Sequence, residues 1–149
     1  MNGFRAIALT LASIALIFSA SCVYALDEKE ASQVITKFLS SKNSKEGSAD
    51  AVQHVIADLD GDGKLDLVLL WNVMGPTAAS PKLTVFIDQG KTYRTVTTDL
   101  SGATEKLSVK GSTITVDTLA LGPRDPLCCP TVKKQLQLRW QSGKLVGLR

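Results

Sequence analysis

The chain has 149 residues, 44% of them hydrophobic and 5% aromatic, and a formal net charge of +3. This length is enough for one domain with a buried core. A charge so close to zero argues against a nucleic-acid binder, which shows a concentrated basic stripe, so we predict no nucleic-acid partner. The few aromatic residues, the abundant Val, Leu and Thr and the regular glycines favour β structure.

The N-terminal segment is typical of a secretory signal peptide. Arg5 precedes a nearly unbroken apolar run over residues 6–20, and Val23-Tyr24-Ala25 satisfies the small-residue rule for cleavage. The run is too short to span a bilayer comfortably. We therefore predict a signal peptide over residues 1–25, a single domain over 26–149, and no transmembrane helix in the mature chain.

The destination predicted from this segment is export to the periplasm or the medium. Cys22 offers a competing interpretation, a lipid anchor, with Ser19-Ala20-Ser21 before it. Lipoprotein signals usually have Leu three residues ahead of the Cys. Because Ser19 occupies that place, soluble release is preferred over anchoring through Cys22.

One amphipathic helix is predicted at the start of the mature chain. Asp27 is a good N-cap and Glu30, three residues later, fits a capping box. Apolar residues then recur with a helical period and form one stripe that must pack on a sheet; they are Ala31, Val34, Ile35, Phe38 and Leu39. Residues 40–50 are predicted as an exposed connection.

The rest of the chain alternates between short apolar strands and glycine-containing turns. Leu67–Trp71 is continuously apolar, as expected of a strand buried on both faces, and residues 72–81 are predicted as a long loop. Gly111-Ser112 is suited to a tight hairpin. Strands joined by such short turns are antiparallel. The predicted fold class is α+β: an N-terminal helix packed on a meandering antiparallel β-sheet of about 6–8 strands.

Between two of these strands lies an acidic loop, Asp58-Leu59-Asp60-Gly61-Asp62-Gly63-Lys64-Leu65-Asp66. Alternating carboxylates around a glycine turn match the spacing of calcium ligands in helix-loop-helix sites, but the twelfth position is Leu69 and the flanks are strand-like. Without a cation the four carboxylates repel one another. The sequence predicts a structural Ca²⁺ site.

The segment from Ala57 to Leu67 resembles the calcium loops of FG-GAP and VCBS-type repeats, of which this chain has a single copy. This resemblance implies that four carboxylates and one backbone carbonyl bind the metal ion: Asp58, Asp60, Asp62 and Asp66, with the carbonyl of Lys64. The segment Asp125–Pro130 also resembles small exported bacterial proteins with one calcium-type loop. That second resemblance implies fold and location only.

The second singular feature is the proline-stiffened stretch Gly122–Thr131, which contains Cys128 and Cys129 next to each other. After removal of Cys22 these are the two cysteines that remain, so no distant partner is available. The first interpretation is a strained vicinal disulfide. Buried reduced thiols, an intermolecular bridge, a soft-metal site and exchange with another protein are the alternatives.

Three functions remain open at this stage, and whether the protein is an enzyme stays uncertain. The first is a non-enzymatic, calcium-stabilised binding module for an unknown protein or glycan partner. The second is an envelope hydrolase or redox protein that uses the Asp cluster with His54, or Cys128-Cys129. The third is an inhibitor-like protein that presents loops 72–81 and 122–130. The sequence does not predict the oligomeric state.

Overall fold

The computed structural model describes residues 26–44, 47–76 and 78–148. The predicted signal peptide and Cys22 therefore lie outside the described residues. In the described part of the chain, no helix has the length and apolar character needed to cross a membrane.

The N-terminal helix, α1, spans Glu28–Ser40 and confirms the predicted cap. The Asp27 carboxylate accepts a 2.7 Å hydrogen bond from the Glu30 backbone N–H. Satisfying an N-terminal N–H in this way fixes where the helix begins. The apolar stripe faces inward, with Ala31 and Ile35 buried.

Within the described residues eight strands follow the helix, and each pairs antiparallel with its neighbours in the same sheet. Their bounds are β1 Ser48–Ala57, β2 Asp66–Met74, β3 Ala79–Asp88, β4 Tyr93–Asp99, β5 Ala103–Lys110, β6 Thr113–Ala120, β7 Val132–Gln141 and β8 Lys144–Leu148. The mostly-β, antiparallel character is as predicted.

The strands form two separate four-stranded sheets, β1-β2-β3-β4 and β5-β6-β7-β8, whereas a single sheet was predicted. That part of the prediction is wrong. Ladder pairing ends with β4 at Asp99, and Gly102 follows at φ +84° before β5 begins. The chain changes sheets at this point, a change that the turn signals do not distinguish from one more hairpin.

The main core lies between the two sheets. Because successive side chains of a strand point to opposite faces, alternate residues of β2, β3, β6 and β7 fill it, and Leu59 closes one end. Its buried members are Leu59, Val68, Leu70, Leu83, Val85, Ile87, Leu107, Ile114, Val116, Leu138 and Trp140. The structure is thus three layers: α1, the first sheet and the second sheet.

The other face of the first sheet packs against α1. Phe38 makes edge-to-face contacts with Trp71 and Phe86, with ring centroids 5.4 and 5.1 Å apart. Leu26 is buried in the same cluster. The first sheet is therefore covered on both faces, which explains why Leu67–Trp71 reads as a continuous apolar run.

Two side-chain contacts join the edges of the sheets. Gln53 of β1 donates to the Leu107 carbonyl at 3.1 Å and accepts from the Leu107 N–H at 2.8 Å. At the opposite edges, Arg94 of β4 donates to the Gly143 carbonyl at 3.0 Å. These bonds hold the sheets face to face on both sides of the core.

The predicted loop over residues 72–81 is mostly strand. β2 continues to Met74 and β3 starts at Ala79, so the connection is short, and Gly75 N–H donates to the Ala78 carbonyl at 3.0 Å. Pro81 lies within β3, paired with Asn72. The polar and proline-rich composition suggested a loop, but the ladder between β2 and β3 extends through it.

Candidate metal centre and the proline-rich loop

The acidic loop connects β1 to β2 at one end of the first sheet. Its second residue, Leu59, is buried in the main core, and its last residue, Asp66, opens β2 and is fully buried. The loop is therefore fixed at both ends by buried side chains. The residues between them are partly or fully exposed.

Asp66 links the loop to the strands beside it. One carboxylate oxygen accepts from the Leu59 N–H at 2.8 Å, and the other accepts from the Asp88 N–H at 2.9 Å. Burial raises the pKa of Asp66, the two backbone donors oppose that shift, and the nearby carboxylates of Asp60 and Asp62 raise it further. A buried carboxylate with two backbone donors is a structural fastener as well as a candidate ligand.

The carboxylates of Asp58 and Asp60 organise the exposed part of the loop. Asp58 accepts from the Gly61 N–H at 2.7 Å and from the Gly63 N–H at 3.0 Å. Asp60 accepts from the Asp62 N–H at 3.1 Å. These local bonds turn the carboxylates inward, so that ligand oxygens of Asp58, Asp60 and Asp66 lie within 4.8 Å of one another.

Asp62 does not join that group. Its carboxylate accepts from the Lys64 N–H at 2.8 Å and forms an ion pair with the Lys64 ammonium at 3.2 Å. The backbone N–H and the ammonium of Lys64 both lower the pKa of Asp62. The structure thus brings three of the four predicted carboxylates together and leaves the fourth with Lys64.

The grouped carboxylates fit a hard cation by their chemistry and spacing. Calcium binds oxygen ligands at about 2.3–2.6 Å, so two oxygens on one ion lie at most about 5 Å apart. The 4.8 Å limit for Asp58, Asp60 and Asp66 meets this condition. Each carboxylate oxygen that accepts one N–H keeps a second lone pair for a metal. This donor set suits Ca²⁺, with Asp62 and the Lys64 carbonyl as further candidate ligands.

His54 is not part of this group. Its Nε2 atom lies 2.9 Å from the Glu28 carboxylate of α1. It lies on β1 opposite Leu69, and its role is to join the strand to the helix. This contact gives the hydrolase interpretation no acid–base pair at the loop.

Cys128 and Cys129 are both exposed free thiols in this structure, so neither the vicinal disulfide of the first interpretation nor the buried alternative is observed. The hydrogen bond with Cys128 raises the pKa of Cys129, and desolvation and the Asp125 charge act in the same direction. A thiol with a raised pKa carries little thiolate at neutral pH. Cys129 is therefore accessible, but its raised pKa disfavours the thiolate that nucleophilic attack requires.

Asp125 holds the proline-rich loop in shape. Its carboxylate accepts from the Gly122 N–H and the Thr131 N–H, both at 2.8 Å, and from the Thr131 hydroxyl at 2.9 Å. These bonds close the loop around the two thiols. The backbone donors of Gly122 and Thr131 lower the pKa of Asp125 from its usual value of 3.8.

We expect the contribution of Asp125 to stability to depend on pH. Because its folded-state pKa is lowered, the contribution is complete above about pH 4 and is lost as the pH falls through the folded value. Denaturant unfolding of the parent and of Asp125→Asn at pH 7, 4 and 2.5 tests this. The stability gap should be largest at pH 7 and shrink at pH 2.5, and a gap that grows on acidification would contradict the assignment.

A groove of about 780 Å³ lies at the other end of the molecule from the acidic loop. The β2–β3 hairpin contributes Asn72 and Pro81 to its walls, and the proline-rich loop contributes Leu127, Cys128 and Pro130. The two segments predicted to face a partner therefore meet at one groove. Leu127, 90% exposed, is its most prominent apolar side chain.

Two features of these sites were not predicted from the sequence. The donor from Asp88 comes from the end of β3, and no sequence signal brings it to Asp66. The role of Asp125 was not predicted either, because its backbone donors lie three residues before it and six residues after it, whereas the familiar Asx turn bonds the backbone two residues on.

These features define a small domain of two antiparallel sheets with a carboxylate-lined connection at one end and a rigid thiol-bearing loop at the other. The chain belongs to the LppP/LprE lipoprotein family, whose profile matches residues 58–143. No curated protein and no solved structure matches the chain. Family membership places the protein among exported proteins.

The family finding corrects two predictions. The resemblance to FG-GAP and VCBS repeats is wrong, because the family whose profile covers the acidic loop and the six strands β2 to β7 is the LppP/LprE family. The preference for soluble release is also corrected, since a lipoprotein family favours the anchor at Cys22 over cleavage after Ala25.

Proposed function

We propose that this chain is a lipoprotein anchored through Cys22, whose domain is a non-enzymatic binding module stabilised by one Ca²⁺ ion in the acidic loop. The family and the position of Cys22 directly after an apolar run support the anchor. The grouping of Asp58, Asp60 and Asp66 supports the ion.

The proposed ion is held by the carboxylates of Asp58, Asp60 and Asp66, with the Lys64 carbonyl as a further ligand. Asp62 joins after its carboxylate exchanges the Lys64 ammonium for the ion. A divalent charge at this position offsets the repulsion that Asp60 and Asp62 exert on Asp66. Because Asp66 is tied to Leu59 in the core and to Asp88 of β3, the ion stabilises the whole end of the first sheet.

A non-enzymatic role is supported by what the titratable groups contact. His54 is paired with Glu28, and the pKa of Cys129 is raised instead of lowered. The raised pKa disfavours Cys129 as a thiolate nucleophile, and His54 contacts α1 instead of the carboxylates of the acidic loop. His54→Ala and Cys128→Ser are therefore expected to change stability at most.

Calcium binding predicts a metal-selective rise in thermal stability. At a free Ca²⁺ concentration of about 100 times Kd, linkage gives about 2.7 kcal/mol. For a domain of this size that is a rise in Tm on the order of 10 °C. Thermal unfolding of the detergent-extracted chain with Ca²⁺, with Mg²⁺ and with chelator measures it.

Two variants make this test specific. Asp60→Asn removes a proposed ligand and should abolish the rise, whereas Asp50→Asn removes an exposed carboxylate of β1 and should leave it unchanged. Equal shifts for both variants, or no shift for the parent, would contradict the calcium site.

An inhibitor-like role is the second candidate, favoured by the groove that Asn72, Pro81 and Leu127 line together. A partner that enters this groove would contact Leu127 first. Capture from the native envelope with the parent and with Leu127→Ser tests it, with Val52→Ser, another exposed apolar residue, as the matched control. Retention of the same proteins by the parent and Leu127→Ser would count against this role.

A further inference from the structure

In the described part of the chain no helix or strand packs on the outer face of the second sheet, which carries five exposed cations. Successive side chains of a strand point to opposite faces. Leu107, Val116, Leu138 and Trp140 point into the core, so the residues next to them in each strand point outward. The outward cations are Lys106, Lys110, Lys133, Arg139 and Lys144. Lys110, Thr113 and Arg139 lie side by side across three strands.

Lys106 lies opposite Asp117 in the β5–β6 register, and the other four cations have no carboxylate opposite them. Among residues 26–44, 47–76 and 78–148, no ion pair involves any of the five. The one carboxylate in the middle of the face, Asp117, accepts a 2.9 Å hydrogen bond from Gln135. The positive charge of this face is therefore available to a ligand.

The first half of the domain is acidic and the second half is basic, although the net charge of the whole chain is small. Residues 27–99, excluding 45 and 46, contain ten carboxylates and seven Lys or Arg, whereas residues 100–148 contain three carboxylates and seven Lys or Arg. The acidic half includes α1 and the acidic loop. The basic half is the second sheet and its loops.

The orientation of the basic face rests on the proposed lipid anchor at Cys22. This anchor keeps the basic face away from the membrane that holds the lipid. Leu26 is buried on the α1 side of the first sheet, and Cys22 is four residues earlier, at most about 14 Å along an extended chain. Packed layers are about 10 Å apart, so the outer face of the second sheet lies roughly 20 Å from the α1 layer. A 14 Å tether cannot lay that face on the bilayer that holds the lipid.

We propose that the outer face of the second sheet binds an anionic glycan, a polysaccharide whose units carry carboxylates. Between the cations stand amide and hydroxyl side chains suited to sugar hydroxyls, namely Ser108, Thr115, Gln135 and Gln137. Val146 is the one large apolar side chain that the face exposes, so it lacks the apolar centre of a protein–protein interface. Charge complementarity and hydrogen bonding supply the affinity.

The test is binding of the detergent-extracted lipidated chain to immobilised polygalacturonate. Dextran is the neutral polymer for comparison, and double-stranded DNA, immobilised at the same amount of negative charge, is the competing polyanion. Lys110→Glu combined with Arg139→Glu should weaken binding by roughly tenfold or more at 0.1 M salt and reduce the slope of log K against log salt by about two. The control reverses Lys29 and Lys91, exposed cations of α1 and the β3–β4 turn, to Glu.

The control pair should bind polygalacturonate like the parent, since it changes net charge equally but lies outside the face. Equal weakening by both pairs, or parent retention no greater than on dextran, would overturn the proposal. Tighter binding to DNA than to polygalacturonate would overturn the glycan assignment. The viscosity of polygalacturonate incubated with the chain in solution separates the two proposals. A fall in viscosity would contradict the non-enzymatic module, whereas absence of binding to the immobilised polymer with unchanged calcium stabilisation would overturn the glycan proposal alone.

Discussion

Cys22→Ser is expected to abolish lipid attachment completely. In cells fed an alkyne-bearing palmitate, the parent chain should be labelled and the Cys22→Ser chain should not. The reason is chemical, because a thioether to diacylglycerol needs the Cys22 sulfur, and each buried CH₂ of the acyl chains contributes about 0.8 kcal/mol to membrane binding. The label is a better readout than fractionation, since an uncleaved apolar signal would itself retain the variant at the membrane.

Other cysteines provide the control for this experiment. Cys128→Ser and Cys129→Ser remove the exposed thiols of the domain and should leave the label unchanged. Ser19→Leu restores the usual lipoprotein signal and should maintain or increase labelling. A labelled Cys22→Ser chain, or an unlabelled parent, would show that the domain is not held through Cys22.

Asp66→Ala is expected to destabilise the domain by about 2–4 kcal/mol, even in chelator. The substitution leaves the buried N–H of Leu59 and the half-buried N–H of Asp88 without acceptors. An unpaired buried donor costs about 1–3 kcal/mol, and a half-buried donor, which water can reach, costs about 1 kcal/mol. It also frees the loop end that places Leu59 in the core. Urea unfolding in the presence of chelator measures this cost without a contribution from bound metal.

Asp60→Ala is the matched control, since it removes a carboxylate of the same loop that is exposed and accepts from a single N–H. Its cost in chelator should stay within about 1 kcal/mol. A similar loss of unfolding free energy for both variants would mean that Asp66 does not hold the loop to the adjacent strands.

The helix and most strand positions could be predicted from local patterns. The Asp27 cap, the apolar stripe of α1 and the Gly111-Ser112 turn are short-range signals, and the structure agrees with each. The sequence predicts a loop over residues 72–81 because proline, which is present here as Pro81, is rare within sheets. These residues are strands because the end of β2 pairs with the start of β3. Amino-acid composition does not indicate such a pairing.

The division into two sheets could not be predicted because it depends on contacts between distant residues. Gln53 reaches Leu107, and Arg94 reaches Gly143, across 54 and 49 positions of sequence. A continuous meander and two stacked sheets share the same hairpins. Only the packing of both inner faces on one core distinguishes them.

The sequence locates the acidic loop between two strands, but it could not rank the carboxylates of that loop. Alternating Asp residues look equivalent in a motif, whereas the structure buries Asp66, groups it with Asp58 and Asp60, and pairs Asp62 with Lys64. The basic face was missed for a related reason. Net charge averages over the chain, while alternate positions of β5 and β7 collect the cations on one surface.

The measurement that tests the calcium-stabilised module most directly is equilibrium dialysis of the lipidated chain against Ca²⁺, with the bound metal counted per chain. One ion per chain is expected for the parent and for Asp50→Asn, and none for Asp58→Asn, which loses a grouped ligand. Excess Mg²⁺ should displace little of the bound Ca²⁺, because Mg²⁺ demands a smaller octahedral site. A parent chain that binds no Ca²⁺, or a stoichiometry unchanged by Asp58→Asn, would contradict the calcium site.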